Sequence, residues 1–216
     1  MRNAIPFALA LCSVASGAVA STATAQGNNA IDKVQAAPAF QATALQEFHA
    51  YESRLSTACA NVSVAWPQAK YKIYGQPQAA SDGNLVNATW VEMVPGTACG
   101  TPRRYRALVL IRGGKATVAP ILPGESIASP QLENDAQAPL IAATAAFVPK
   151  GSKCPVDVLD TTLSGPAPTQ PKQPWLETWL VQTCGKRLNV PIQFVPDVVG
   201  EGTSIKIDSK AIMIAP

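Results

Sequence analysis

Apolar side chains recur every three or four residues between positions 38 and 57, which is the spacing of one face of an α-helix. Pro38 suits the first turn of such a helix, because the amide hydrogen that proline lacks has no partner there. The opposite face carries polar residues, Glu52 among them. The pattern therefore predicts a helix that leads directly to Cys59. Its apolar face comprises Phe40, Ala44, Leu45, Phe48, Tyr51 and Leu55.

After this helix the apolar period falls to two, which is typical of β-strands with one buried face. Glycine, proline, serine and asparagine predict a loop over residues 75–84, and Gly113-Gly114 predicts a turn. Residues 95–102, which contain two prolines and two glycines, predict another turn. Residues 38–125 are therefore interpreted as a helix followed by a unit of hairpins. The predicted strands are residues 61–65, 70–74, 85–94, 105–111 and 115–119.

A second helical pattern lies between residues 126 and 149. Leu132, Leu140 and Phe147 fall on one predicted face. Pro139 interrupts the pattern and predicts either a kink or a division into two helices. We interpret this segment as a helical connector.

Residues 150–216 repeat the plan of the first β unit in shorter form. A motif of tryptophan, glutamate, cysteine and glycine recurs with the same spacing in both segments. One further cysteine precedes each copy, Cys59 in the first and Cys154 in the second. The correspondence predicts an internal duplication. It also predicts an α+β protein, mainly β, in which two related β units follow an N-terminal helix and are separated by the connector. The matched residues are Trp90, Glu92, Cys99 and Gly100 in the first copy and Trp175, Glu177, Cys184 and Gly185 in the second.

Four cysteines remain if residues 1–25 are removed, and four cysteines allow three pairings. An internal duplication favours pairing within each copy. The prediction is therefore one disulfide between Cys59 and Cys99 and another between Cys154 and Cys184.

Trp175, Glu177 and Trp179 lie two residues apart and therefore share one face of the predicted strand. If exposed, this row could stack against sugar rings, with Tyr71 or Tyr74 nearby. If buried, it would belong to the core, where a ring can shield a carboxylate that anchors a backbone group or an arginine. The tryptophan at the equivalent position of the other copy favours the core, and glycan binding remains an alternative.

The first 25 residues have the parts of a secretory signal peptide: a positive start, an apolar run and a small-x-small site that ends at Ala25. Cys12 offers a lipoprotein signal as a rival, which the large Leu11 before it disfavours. Residues 26–37 are interpreted as a flexible leader. We therefore expect a periplasmic or secreted mature chain without a membrane span.

Removal of residues 1–25 takes Arg2 from the 17 basic residues and leaves 16 against 14 acidic ones, a net charge of +2. So small a charge predicts no nucleic-acid partner. Apolar residues make up 47% of the chain, which suffices for a buried core. A cluster of arginines on one predicted hairpin is interpreted as a solvated strand edge. These are Arg103, Arg104, Arg106 and Arg112.

Few residues are typical of an active site. His49 is the only histidine, and no G-x-S-x-G or S-x-x-K motif supplies a nucleophile. One histidine and four paired cysteines cannot form the usual zinc ligand sets. Asp197, Glu201 and Asp208 frame a glycine-bearing loop that could hold calcium, but a solvated turn explains the same residues. We therefore expect neither a metal nor a cofactor.

The motif of the second copy is followed by further spaced residues, Phe194-x-Pro196-Asp197 and Gly202-Thr203. In Trp175-x-Glu177-x-Trp179, Cys184-Gly185 and these residues, the segment 150–216 resembles a group of uncharacterised exported proteins of Gram-negative bacteria. The first copy departs from the pattern at Val94, which stands in place of the second tryptophan. The resemblance implies an envelope or secreted location and brings no activity with it.

The sequence thus favours an exported, non-enzymatic structural or interaction protein of the cell envelope. Its expected partner is an unknown envelope protein or a glycan. A glycan-binding module is the first alternative, and a small hydrolase with an unrecognised site is the second.

Overall fold

The structure is a computed structural model that describes residues 29–55 and 59–215 of the 216-residue chain. The predicted signal peptide, with Cys12, lies outside these ranges. Two antiparallel sheets form the body of the protein, and helices precede each of them. The predicted fold class, α+β and mainly β, is confirmed.

Residues 29–36 form a helix, α1, in the segment for which the sequence predicts a flexible leader. Ile31 is fully buried, and Val34 packs with it against the core of the first sheet. The prediction is wrong for these residues because the two side chains lie about one helical turn apart, a spacing that the polar composition of the segment conceals. Residues 26–28 lie outside the described part of the chain.

The helix predicted over residues 38–57 is observed as α2, Pro38–Arg54. Its predicted apolar face is turned inward. Glu52, which the sequence places on the exposed face, is also buried, with 1% of its surface exposed. The prediction fails there because Arg103 and Tyr105 both donate hydrogen bonds to the Glu52 carboxylate. The buried apolar residues of α2 are Phe40, Ala44 and Phe48.

The predicted helical connector consists of α3, Pro130–Asp135, and α4, Gln137–Thr144. The Ser129 side chain accepts a hydrogen bond from the Leu132 amide and caps α3. The two helices separate just before Gln137, so that Pro139 lies in the first turn of α4, where its missing amide hydrogen needs no partner. The predicted division into two helices is therefore observed.

The first sheet contains six strands: β1 Val62–Val64, β2 Lys70–Ile73, β3 Gln78–Ala79, β4 Leu85–Ala98, β5 Thr101–Arg112 and β6 Lys115–Pro120. Their order is β1-β4-β5-β6, and β2 and β3 also pair with β4. All pairings are antiparallel. One face of the β4–β5 hairpin packs against α1 and α2.

The second sheet contains five strands: β7 Asp157–Leu163, β8 Trp175–Thr183, β9 Lys186–Pro196, β10 Thr203–Ile207 and β11 Met213–Ile214. Their order is β10-β9-β8-β7, and β11 also pairs with β9. The β8–β9 hairpin corresponds to β4–β5. Helix α4 contacts β10 as α2 contacts β6. Each unit therefore combines helices with an antiparallel meander.

The turn predicted over residues 95–102 is much shorter than expected. Strand β4 continues through Pro95-Gly96, because the bare Gly96 lets β1 approach: a Cβ there would lie 2.2 Å from the Ser63 carbonyl oxygen. Only Cys99 and Gly100 form the turn, with φ values of 47° and 80°. Positive φ at both central residues is typical of a two-residue type I′ hairpin.

The second unit has the same turn, at Cys184 and Gly185, with φ values of 49° and 72°. In each unit the turn cysteine forms a disulfide with the cysteine that precedes the first strand. The bonds join Cys59 to Cys99 and Cys154 to Cys184, with Cα atoms 5.9 Å and 5.3 Å apart. These are the predicted pairings.

Replacement of either disulfide by two alanines should lower the free energy of unfolding by about 3–4 kcal/mol, because the bonds close long loops in the unfolded chain. The measurement is urea unfolding of Cys59→Ala/Cys99→Ala and of Cys154→Ala/Cys184→Ala, each compared with the wild type. The sequence separations of 40 and 30 residues predict similar losses. An unchanged unfolding midpoint for either variant would contradict the prediction.

Candidate functional site

In the first sheet, a buried carboxylate accepts hydrogen bonds from two side chains. Trp90 and Glu92 share one face of β4, and both are fully buried. The Trp90 indole donates from Nε1 to Glu92 Oε2 at 2.9 Å, and Gln35 of α1 donates from Nε2 to Oε1 at 2.6 Å. Burial raises the pKa of Glu92, and the two hydrogen bonds oppose that shift. The carboxylate thereby fastens α1 to the sheet.

In the second sheet, the corresponding carboxylate of Glu177 accepts four hydrogen bonds. Trp175 donates from Nε1 to Oε1 at 3.0 Å, and Trp179 donates from Nε1 to Oε2 at 2.9 Å. The Ser126 hydroxyl and the Ile127 amide both donate to Oε1 at 3.1 Å. The predicted role of the motif, a shielded carboxylate that anchors a backbone group, is therefore observed at Ile127.

The tryptophan row does not offer a surface for stacking against sugars. Trp179 and Glu177 are fully buried. Trp175 is partly buried, and its ring stacks on Phe194 with the ring centroids 4.9 Å apart. The burial of Trp179 and Glu177 opposes a ligand-binding role for this row, because both indole N–H groups turn inward to the carboxylate. The row belongs to the core.

The start of β5 has no β6 neighbour, but its arginines do not form a solvated strand edge, because their side chains pair with carboxylates of other elements. The Arg103 Nε donates to Glu52 at 3.2 Å. Arg104 pairs with Glu125, and its Nη2 lies 3.4 Å from Asp160 of β7. The prediction fails because β6 pairs only with residues 107–112 of β5, which leaves the preceding arginines to contact other elements. Of the four, Arg112 is exposed as predicted.

The chain that follows β6 joins the two sheets. The Gly124 amide donates to the Arg104 carbonyl oxygen at 2.8 Å, and the Glu125 amide donates to the Thr161 carbonyl oxygen at 2.6 Å. The Thr161 hydroxyl donates to the Pro123 carbonyl oxygen at 2.7 Å. Gly124 has φ 108°, and a Cβ on it would lie 2.2 Å from the Thr161 carbonyl oxygen. Only glycine fits this junction without strain.

The remaining candidate residues form no catalytic or metal centre in the described ranges. The His49 imidazole has no hydrogen-bonded nucleophile there. No group of three or more His, Cys, Asp or Glu side chains within residues 29–55 and 59–215 could hold a metal ion. Asp208 instead caps a short 3-10 turn by accepting a hydrogen bond from the Lys210 amide at 2.9 Å. The solvated-turn interpretation of the calcium candidate fits this contact.

A groove of about 650 Å³ lies between α3 and the face of the first sheet opposite the helices α1 and α2. We call it the junction groove. Beside it, Arg106 and Glu133 form a buried ion pair, with Nη1 and Oε1 2.5 Å apart. Burial raises the pKa of Glu133, and Arg106 opposes that shift. The lining residues are Tyr74, Thr89, Leu108, Pro120, Ile121, Leu122, Ser129, Pro130, Gln131, Glu133, Asn134 and Gln137.

A second cavity, of about 600 Å³, lies where the α1–α2 connection meets the turn after β1. We call it the tryptophan cleft, after Trp66. The sequence motifs point to neither cavity, because each is assembled from residues far apart in the chain. The residues that line the cleft are Gln35, Ala36, Gln41, Val64, Trp66, Pro67 and Ala69.

Comparison of the chain with protein-family models, with curated proteins and with solved structures finds no match. In residues 29–55 and 59–215, none of the helices has the length and apolar character needed to cross a membrane. The site must therefore be interpreted from its own geometry.

Conversion of the two motif carboxylates to amides should have unequal effects. In Glu177→Gln the new amide nitrogen faces a donor, either an indole or the Ile127 amide, and a buried donor without a partner costs roughly 1–3 kcal/mol. In Glu92→Gln the Gln35 amide can turn and accept from the new amide, so the loss should stay below about 1 kcal/mol. Urea unfolding at pH 7 measures both. A larger loss for Glu92→Gln would contradict the assigned roles.

The raised pKa of Glu92 gives stability a pH dependence of definite sign. The folded state binds this proton more tightly than the unfolded chain does, for which the reference pKa is 4.5. Acidification from neutral pH toward 4.5 should therefore stabilise the wild type relative to Glu92→Gln, and the gain is lost as pH rises through the folded pKa. Unfolding at several pH values measures this difference. The exposed Glu201→Gln variant is the control, and a flat or reversed difference would contradict the prediction.

Proposed function

We propose that the protein is exported to an oxidising compartment of the cell envelope and acts there as a non-enzymatic interaction protein built from two copies of one module. Two disulfides are typical of proteins from such compartments. The shared strand order, type I′ turn, disulfide position and Trp–Glu hydrogen bond support a tandem duplication.

The observation that carries the non-enzymatic role is the use of the buried carboxylates. Glu52, Glu92, Glu133 and Glu177 each accept hydrogen bonds from groups that hold structural elements together. A general acid or base needs instead a reactive atom within reach of a substrate. The buried carboxylates of this protein link its structural elements, which favours binding over catalysis.

The junction groove is the proposed contact surface. Leu108, Ile121 and Leu122 give it an apolar lining, and its one charged lining residue, Glu133, is neutralised by Arg106. A charged partner segment would lose hydration there without gaining an opposite charge. We therefore assign the groove to an uncharged, extended segment of an envelope protein that inserts apolar side chains.

The α3–α4 wall of the groove can also bind the backbone of such a segment. Asn134 and Gln137 lie three residues apart and line the groove. Neither side chain has a hydrogen-bond partner within the part of the chain that the structure describes. A free carboxamide offers both a donor and an acceptor, which matches a peptide group. An extended peptide can insert apolar side chains into the lining and bond its backbone to the two carboxamides, so it is the proposed partner.

Site-specific photo-crosslinking in exporting cells tests this proposal. A photoreactive residue at Gln137 should capture one envelope protein, whereas the same residue at the neighbouring, exposed Ala138, which does not line the groove, should capture it weakly or not at all. A synthetic peptide of the captured segment should bind the purified protein. Leu108→Gln should weaken that binding about tenfold, because apolar burial is lost.

Equal capture at both positions, or a captured peptide that does not bind, would contradict the contact surface. Turnover of a generic ester, amide or phosphate substrate that depends on a groove residue such as Tyr74 would instead establish an enzyme. Mass spectrometry of the mature chain tests export separately, since cleavage after Ala25 should leave Gln26 as the first residue.

A further inference from the structure

The tryptophan cleft has the composition of a small-ligand site. Its volume of about 600 Å³ lies within the range of known ligand pockets. None of the residues that line it carries a formal charge. The nearby Glu92 carboxylate lies behind Gln35 and forms no ion pair in the described part of the chain. An anion would meet no counter-charge there, and a cation could reach the fully buried Glu92 carboxylate only by displacing Gln35, so the chemistry of the cleft favours a neutral ligand.

The Gln35 side chain has a fixed orientation in this cleft. Its amide nitrogen donates to the buried Glu92 carboxylate at 2.6 Å, a short bond to a charged acceptor. The carbonyl oxygen of a carboxamide lies on the other side of the group from its nitrogen. Gln35 Oε1 therefore points away from Glu92, and it accepts no hydrogen bond within the described residues. Because Gln35 lines the cleft, this oxygen is an acceptor that no described residue uses.

Gln41 supplies a second acceptor in the same way. Its Nε2 donates to the Gln35 main-chain oxygen at 3.0 Å, which ties the first turn of α2 to the end of α1. The Gln41 side-chain oxygen has no donor among the described residues. Two carboxamide oxygens that have no protein donor in one neutral cleft are suited to a ligand with several hydroxyl groups.

Trp66 adds an aromatic surface and a donor. The ring is partly buried and meets Phe40 edge-on, with the centroids 6.1 Å apart, so its position is fixed by the core. Its indole Nε1 donates to no acceptor in the described ranges. A tryptophan ring combines a broad apolar face with one polar N–H group. Such a ring complements a molecule that has a C–H face and hydroxyls at its edge.

We propose that the tryptophan cleft binds a neutral saccharide, with Trp66 against its C–H face and the oxygens of Gln35 and Gln41 accepting from its hydroxyls. The cleft shares no lining residue with the junction groove. This site is therefore independent of the proposed contact with an envelope protein. It also differs from the Trp175–Trp179 row, whose polar groups are all turned inward.

An array of neutral and acidic oligosaccharides, followed by calorimetry on the mature chain, tests the proposal. At least one neutral saccharide should bind, with a change in tryptophan fluorescence that is absent in Trp66→Phe. Gln41→Leu should weaken binding about threefold to tenfold, the equivalent of one hydrogen bond. Gln46→Leu is the matched control, because Gln46 lies exposed on the same helix and does not line the cleft, and its affinity should equal that of the wild type.

Thermal unfolding of each variant separates loss of the ligand from loss of the fold. Gln41→Leu should lower the unfolding temperature only slightly, because it removes one part-buried hydrogen bond, to the Gln35 main-chain oxygen. Leu108→Gln in the junction groove should leave saccharide affinity unchanged. Failure of every neutral saccharide to bind at millimolar concentration would overturn the proposal. So would binding that Gln41→Leu and Trp66→Phe do not alter, or a preference for acidic saccharides.

Discussion

The arrangement of the whole protein depends on a carboxylate that lies inside it without a paired cation. Withdrawal of an ionised carboxylate from water costs several kcal/mol, and the folded state tolerates it only where donors replace the lost water. Glu177 meets this condition with donors from its own strand and from Ser126 and Ile127. Each donor must lie within hydrogen-bond distance of one of two oxygens. The carboxylate therefore fixes where the segment that leaves the first unit meets the second sheet.

The first unit uses the same device on a different element. Glu92 receives one indole and the Gln35 amide, so it fastens α1, whereas Glu177 fastens the chain just before α3. In the first unit the motif holds α1, which precedes α2. In the second unit it holds Ile127, which precedes α3. Each sheet is thus tied to a helical segment that precedes it. The helices of residues 130–147 pack with the second sheet, as α1 and α2 pack with the first.

Local patterns of the sequence predicted most of the strands, the helix α2, the disulfides and the shared face of Trp175 and Glu177. These features depend on spacings of two to four residues or on a repeat, which one sequence displays directly. Local patterns missed β3, which lies in the predicted loop 75–84, and the facing ends of β4 and β5, which lie in the predicted turn 95–102. The other misses involve partners far apart in the chain. Burial of Glu52 requires Arg103, which lies 51 residues away, and both cavities gather side chains from separate elements. The polar composition of residues 29–36 also concealed α1, which packs on the first sheet through a few apolar side chains, Ile31 and Val34 among them.

The junction groove exists only because the two units are joined. Strand β5 extends beyond β6, so the arginines at its start pair with β4 on one side and have no strand on the β6 side. The chain from Ile121 to Glu125 takes that place and passes on to β7, while Arg106 draws Glu133 of α3 against the sheet. Helix α3 forms one wall of the groove, and most of the opposite wall belongs to the first sheet. Neither wall alone encloses the groove, so its shape depends on the junction between the two sheets, which the glycine at position 124 permits.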